Sequence, residues 1–289
     1  MARASDDPIR YIDRTRDYYL ALGYGAPYRW ARLEEVPFAP LPRPLFDATV
    51  AIITTAAAYN AAAKFYEAYA GPTASMPDLH ISHVAIDRDH TTAEDIGTYF
   101  PLAALARAAA AGRIGRVGPR FYGLPTNRSQ STTMDVDCPA LVAMCRADGV
   151  DATLLVPNCP VCHQSVALAA RALEEAGIAA VVMGCALDIV ERVGVARFLF
   201  SDFPLGNSAG RPHDVASQDE TLGLALDLLD GARGPCTTVR SPLRWTGDPA
   251  WKASYCNAAR LTPEDIIARR AAFDAGKAVA AAKRAARTD

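Results

Sequence analysis

Beyond residue 150 the chain alternates short β-branched apolar runs with helix-forming stretches, a pattern that few architectures can accommodate. Asp151-Ala152-Thr153-Leu154-Leu155-Val156 is apolar on both faces, as a buried strand of a parallel sheet must be. Residues 164–175 follow as a helix with Val166, Ala170 and Leu173 on one face, and Gly177 stands where a helix C-terminal cap belongs. Residues 179–183 return as a strand, 187–193 as a short helix, 196–200 as a strand and 221–229 as a helix. Helices between strands of one sheet require right-handed crossovers, so the alternation predicts an α/β fold with largely parallel strands covered on both faces.

The first half repeats the theme less regularly. Thr49-Val50-Ala51-Ile52-Ile53-Thr54 reads as a buried strand, 102–111 as a helix stopping at Gly112, and 140–146 as a helix ending before Gly149. The expectation is two Rossmann-like or flavodoxin-like lobes, over residues 48–148 and 149–240. Residues 1–47 form an arm, a short helix and then an extended stretch interrupted by Pro37, Pro40, Pro42 and Pro44. Residues 241–289 form a C-terminal extension and helix, begun by Thr262 as cap, Pro263 at the first helical position and Glu264 and Asp265 in the first turn. Lys277, Lys283, Arg284 and Arg287 on that helix read as a solvated face.

Thirty basic against thirty-two acidic residues give a net charge of -2, which argues against nucleic acid or acidic lipid as partners. The charged opening residues leave no room for a secretory signal, and no apolar stretch reaches the length of a membrane-spanning helix. A cytoplasmic protein with a small-molecule substrate is expected, with a homo-oligomer left open.

Seven cysteines are an odd number for a disulfide framework. Five, at 138, 145, 185, 236 and 256, have no ligand-like spacing, whereas Cys159 and Cys162 stand in Pro157-Asn158-Cys159-Pro160-Val161-Cys162-His163, between a strand and a helix. Ligand sites of open α/β sheets lie at that edge, and a helix N-terminus there stabilises a thiolate. A protonated His163 would add to the effect. One thiol can then attack a substrate and the second can resolve the adduct as a disulfide, which an external thiol or thioredoxin-like protein resets.

The same cysteines could instead hold zinc together with His163 or His83. His80 and His83 lie three apart on an extended segment and so face opposite ways, which leaves His83 as the better ligand or substrate contact. Cys-x-x-Cys-His is also the attachment pattern of c-type haem, but the absence of an export signal speaks against that. His80, His90 and His213 read as structural. Thr55 and Tyr122 join the candidate substrate contacts, with Tyr122 and Asp87 the weaker candidates.

From Cys159 to Leu229 the chain resembles the selenoprotein B family of glycine, sarcosine, betaine and D-proline reductases. Glu174-Glu175-Ala176-Gly177-Ile178, and Asp202-Phe203-Pro204-Leu205-Gly206-Asn207 followed by Gly210-Arg211-Pro212, are similar to family stretches. So are Tyr28-Arg29-Trp30, Ile81-Ser82-His83, Tyr99-Phe100-Pro101-Leu102 and Gly112-Arg113-Ile114-Gly115, which resemble its short single-chain branch. In that family a selenocysteine near a Cys-x-x-Cys motif attacks a substrate activated by a separate pyruvoyl-bearing subunit, cleaves a carbon-nitrogen bond reductively and is regenerated by thiols. The resemblance implies that Cys159 takes the selenocysteine's place, that Cys162 resolves the adduct, and that Asn158, His163 and Gln164 position or protonate.

The expected activity is thus a thiol-dependent reductase that cleaves a carbon-nitrogen or carbon-sulfur bond of a small polar substrate, with no cofactor beyond the reductant. A zinc protein and a non-catalytic subunit of a reductase complex are the alternatives. Two departures bear on substrate contacts: Gly97 stands where the family pattern suggests Asn, and Leu124-Pro125 where a glycine pair often follows the tyrosine.

Overall fold

The computed structural model describes residues 6–25, 28–58, 67–81, 86–87, 89–126 and 129–285, without the side chains of 57, 58, 272, 273, 276, 277 and 279–285. The described residues form ten strands: β1 (Thr49–Thr54), β2 (Ala57–Ala58), β3 (Tyr69–Pro72), β4 (Leu79–His80), β5 (Arg116–Val117), β6 (Arg120–Gly123), β7 (Ala152–Val156), β8 (Ala179–Gly184), β9 (Arg197–Phe200) and β10 (Thr237–Arg240). The helices are α1 (Tyr11–Ala21), α2 (Leu102–Ala110), α3 (Gln130–Thr132), which runs through a π-helical segment (Thr133–Asp137) into α4 (Cys138–Ala147), then α5 (Pro160–Glu175), α6 (Leu187–Val193), α7 (Val215–Gly231) and α8 (Pro263–Ala285).

The α/β class and the largely parallel strands are as expected. Where two lobes with their own sheets were expected, however, eight of the described strands, drawn from both halves, share one sheet, and β2 and β4 pair separately as an antiparallel two-stranded sheet. The order of the large sheet is β10-β9-β8-β7-β1-β6-β3, with β5 pairing β1 just ahead of β6, and only β3 runs antiparallel. The two halves are joined by β1 and β7, which pair in parallel from Val50 with Ala152 to Thr54 with Val156. Both strands are apolar on both faces and need a neighbour on each side; pairing with each other meets that need.

Successive side chains of a strand point to opposite faces, and the core divides accordingly. Val50, Ile52, Leu154, Val156, Val181 and Met183 pack with Leu102 and Leu105 of α2 and Leu222, Leu226 and Leu229 of α7. Ala51, Ile53, Leu155, Ala180 and Val182 pack with Leu141 and Cys145 of α4 and with Val166, Ala170 and Leu173 of α5, the three positions expected to share a face. The cap of α8 is also as expected: Asp265 N–H donates to Thr262 Oγ1 at 3.1 Å, and Thr262 N–H to the Asp265 carboxylate at 3.0 Å.

The N-terminal arm is fastened by charge rather than by strand pairing. Arg197 and Glu174 form a fully buried ion pair at 2.7 Å. The Glu174 carboxylate also accepts from the backbone N–H of Ala180 at 2.8 Å and from that of Ala39, while Arg197 donates to the Ala39 carbonyl at 2.9 Å and stacks on the Phe38 ring at 4.2 Å. Arg171 of α5 extends the clasp to the carbonyls of Glu35 and Gly194. Removing one partner of such a pair strands the other charge in the core. Glu174→Ala is therefore expected to cost about 3–5 kcal/mol in denaturant unfolding and, in limited proteolysis, to make the arm around Phe38 the first segment cut.

Candidate functional site

The chain leaves β1 for β6 on one side and later returns to lay β7 on the other, so the sheet changes direction between β1 and β7. Loops part at such a switch point and leave a crevice at the carboxyl ends of the strands. Thr55 follows β1 there, and Pro157-Asn158-Cys159 follows β7. Thr55 Oγ1 accepts from both the backbone N–H and the Nδ2 of Asn158, each at 3.1 Å, and Thr55 N–H donates to the Val156 carbonyl at 3.3 Å. Asn158 Oδ1 is buried and, among the described residues, no donor reaches it.

Helix α5 starts earlier than the sequence reading had it, at Pro160 rather than near residue 164, because Pro is pre-shaped for the first helical position. The cysteines are thus part of the helix terminus and not of a loop before it. Cys159 is the N-cap: its backbone is extended, with φ -130° and ψ 170°, and its sulfur accepts the N–H of Cys162 at 3.2 Å. The two sulfurs are bonded as a disulfide, with Cα atoms 4.9 Å apart. Cys159 is 4% exposed and Cys162 not at all; the hydroxyl of Thr126 donates to Cys162 Sγ at 3.3 Å.

His163 lies beneath the pair with both ring nitrogens engaged by main chain. Nε2 accepts the Cys185 N–H at 2.9 Å, which fixes the proton on Nδ1, and Nδ1 donates to the Cys159 carbonyl at 2.8 Å. Burial lowers its pKa from 6.5 to about 4, a shift that the bond to Cys159 only partly offsets. The expected contribution of a protonated imidazole is therefore missing at neutral pH; the favourable field comes from the helix terminus. A Cβ on Gly184 would lie 2.8 Å from the ring, so glycine is needed for this close approach.

Cys185, at the end of β8, completes the surroundings. Its buried sulfur stands 3.6 Å from Ser208 Oγ, which donates to the Pro157 carbonyl at 2.7 Å, and burial pushes the thiol up to about 12. Residues 201–210 thereby brace the loop that carries Cys159. Neither Cys185, Ser208 nor Thr126 was legible in the sequence, since none has a motif spacing to the pair; the strand end at Gly184 was the one signal that pointed toward Cys185.

Two expected substrate contacts are occupied elsewhere. Gln164 Oε1 accepts the Ala31 N–H at 2.7 Å and its Nε2 donates to the Tyr28 hydroxyl at 2.6 Å, so it tethers the arm over the first turn of α5. Tyr122 is not brought to the pair: its hydroxyl donates to Asp148 at 2.6 Å, within an Arg120–Asp148 ion pair that precedes the amino end of β7, whereas the cysteines follow its carboxyl end. Burial and Asp148 push the Tyr122 pKa far up. His83 lies outside the described residues, and with it the metal set of Cys159, Cys162 and His83. Among the described residues no group of three or more His, Cys, Asp or Glu could hold a metal ion, and His163 has no ring nitrogen to spare. At Gly97 a side chain would fall on the Gln218 amide, which accounts for glycine where the family pattern suggests Asn. Among the described residues no helix is long and apolar enough to cross a membrane.

Fold and site together define an α/β protein with a helix-capping disulfide at the switch point of its sheet. No family model matches the chain, and no solved structure does. It is 28% identical over 189 residues to the D-proline reductase subunit gamma of Acetoanaerobium sticklandii, covering 63% of this chain and 78% of the relative. It is 25% identical over 220 residues to the glycine reductase complex component B subunit gamma of Carboxydothermus hydrogenoformans, covering 71% of this chain but only 49%, about half, of that relative. Both relatives are named as reductase subunits, and the chain is similar to this glycine and D-proline reductase type.

A buried imidazole whose folded pKa is depressed stabilises the fold above its unfolded pKa and loses that contribution as the pH falls. The window here runs from 6.5 down to about 4. Comparing wild type with His163→Gln in urea, the stability difference is expected to shrink by about 3 kcal/mol between pH 7 and pH 4. A difference independent of pH would refute the neutral, doubly engaged imidazole.

Proposed function

We propose that the chain is the thiol-bearing subunit of a reductase, and that Cys159 and Cys162 form its redox couple. The observation that carries this reading is the disulfide on the first turn of α5, with Cys159 as the N-cap. On reduction, the Cys162 N–H and the helix terminus that now face Cys159 Sγ favour the thiolate at that sulfur. Cys159 is also the more exposed of the two, which suits it to attack while the enclosed Cys162 resolves.

In the reductive half-reaction the Cys159 thiolate displaces a nitrogen or sulfur leaving group from substrate carbon, and the leaving group takes a proton. Cys162 then attacks the Cys159 sulfur, the disulfide forms, and the substrate carbon departs with the electron pair and is protonated. An external dithiol, a small thiol or a thioredoxin-like protein, returns two electrons to the couple. Asn158, held by Thr55, offers its unspent Oδ1 to a substrate or leaving-group N–H. His163 is a positioning residue that holds the Cys159 carbonyl against β8. Both relatives are named as subunits of larger reductases, and a partner subunit that activates the substrate is part of the proposal. The couple suits the reducing cytoplasm, where a disulfide of this kind is transient.

Thiol titration of the denatured chain tests the couple: the oxidised form should give five thiols and the reduced form seven. Cys159→Ser should abolish reductase turnover in the reconstituted complex, and Cys162→Ser should stop after one turnover with the substrate fragment attached to Cys159. Steady-state rates unchanged in both variants would rule the mechanism out. Stoichiometric zinc in the purified protein, lost with either variant, would replace it by a metal site.

A further inference from the structure

A second cleft, of about 260 Å³, opens on the same edge of the sheet beyond β9 and β10. Phe200 closes β9 and Arg240 closes β10, and the two are partners in register. Trp245 and Trp251 stand in its walls with Leu243, and Trp251 packs in one apolar cluster with Phe203, Leu205 and Cys185. Ligands of parallel sheets bind outside the carboxyl ends of strands, where loops of this kind diverge.

Three cations and two carboxylates line the cleft, a surplus of one positive charge. Lys252 is nearly buried and fully used: Nζ pairs with the Asp202 carboxylate and donates to the carbonyls of Asp6 at 2.9 Å and Asp7 at 3.1 Å. Arg244 pairs with Asp6 at 3.0 Å. Arg240 makes no direct ion pair among the described residues, although its charge acts on Asp202 from a distance, and its guanidinium stands over the Phe200 ring at 5.8 Å. Both acidic side chains are thus committed to cations of the protein, while one guanidinium beside aromatic walls is left for a ligand.

We propose that this cleft binds a small organic carboxylate with an apolar body and no amino group, its carboxylate on Arg240 and its body against Phe200 and the two tryptophans. An ammonium would find no uncommitted carboxylate, so amino acids are disfavoured. The site is separate from the disulfide and does not depend on the redox reading.

Calorimetric titration of the full chain with benzoate, isovalerate, benzamide and phenylalanine tests the proposal. Benzoate or isovalerate should bind saturably, at least tenfold more tightly than benzamide or phenylalanine. Arg240→Gln should weaken the carboxylate at least tenfold with the melting temperature unchanged, Arg240→Lys should recover part of the affinity, and Cys159→Ser should leave it as in wild type. No saturable binding of either carboxylate, equal affinity in Arg240→Gln, or equal binding of phenylalanine would overturn it.

Discussion

Five consecutive residues of β1 pair in parallel with the five of β7, from Val50 with Ala152 to Thr54 with Val156. The candidate redox site depends on that register. It brings the residue after β1, Thr55, level with the loop after β7, so that one hydroxyl can accept two bonds from Asn158. It fixes where α5 begins, because the chain must turn within Pro157-Asn158-Cys159 before the helix can cross back over the sheet. A slip of one residue would exchange the sets that pack against α2 and α7 with those that pack against α4 and α5, and two closely packed layers would both have to be rebuilt. Bury-both-faces strands hold their register for that reason, and the site inherits the rigidity.

Around this crevice the polar groups are arranged by main-chain demand more than by charge. His163 satisfies the carbonyl of Cys159 and the N–H of Cys185, and burial keeps it neutral. Ser208 satisfies the carbonyl of Pro157. The couple is thereby surrounded by groups that hold backbone in place, and the electrostatic help for a thiolate comes from unpaired amides at the start of α5. Electrostatics of the opposite kind secures the arm: a buried Glu174–Arg197 pair ties residues 35–39 to α5 and β9, while Gln164 ties Tyr28 and Ala31 over the first turn of α5.

Much of the local structure was legible. The strand at 49–54 and the helix at 187–193 have the expected bounds, the capping signal before residue 263 forms the expected reciprocal bonds, and Val166, Ala170 and Leu173 share the face assigned to them. Strands β3, β5, β6 and β10 were not called: they are short or half-exposed, and pairing partners distant in sequence, not their own composition, make them strands. Of the expected site residues, Asn158 and Thr55 meet beside the couple, whereas Gln164 and Tyr122 are spent on the arm and on Asp148.

The sequence by itself determined the α/β class, the alternation of strand and helix from residue 151 to 231 and the position of Cys159 and Cys162 at a strand-to-helix junction, because periodicity, capping and cysteine spacing are local properties of the chain. The tertiary structure alone decided that β1 and β7 join the strands of both halves in one large sheet, since two buried strands carry no record of which neighbour each takes. It also decided that His163 is neutral and that Arg240, among the described residues, stands in its cleft without a direct ion pair, because protonation and pairing are set by what burial and folding bring near, across separations that no motif spans.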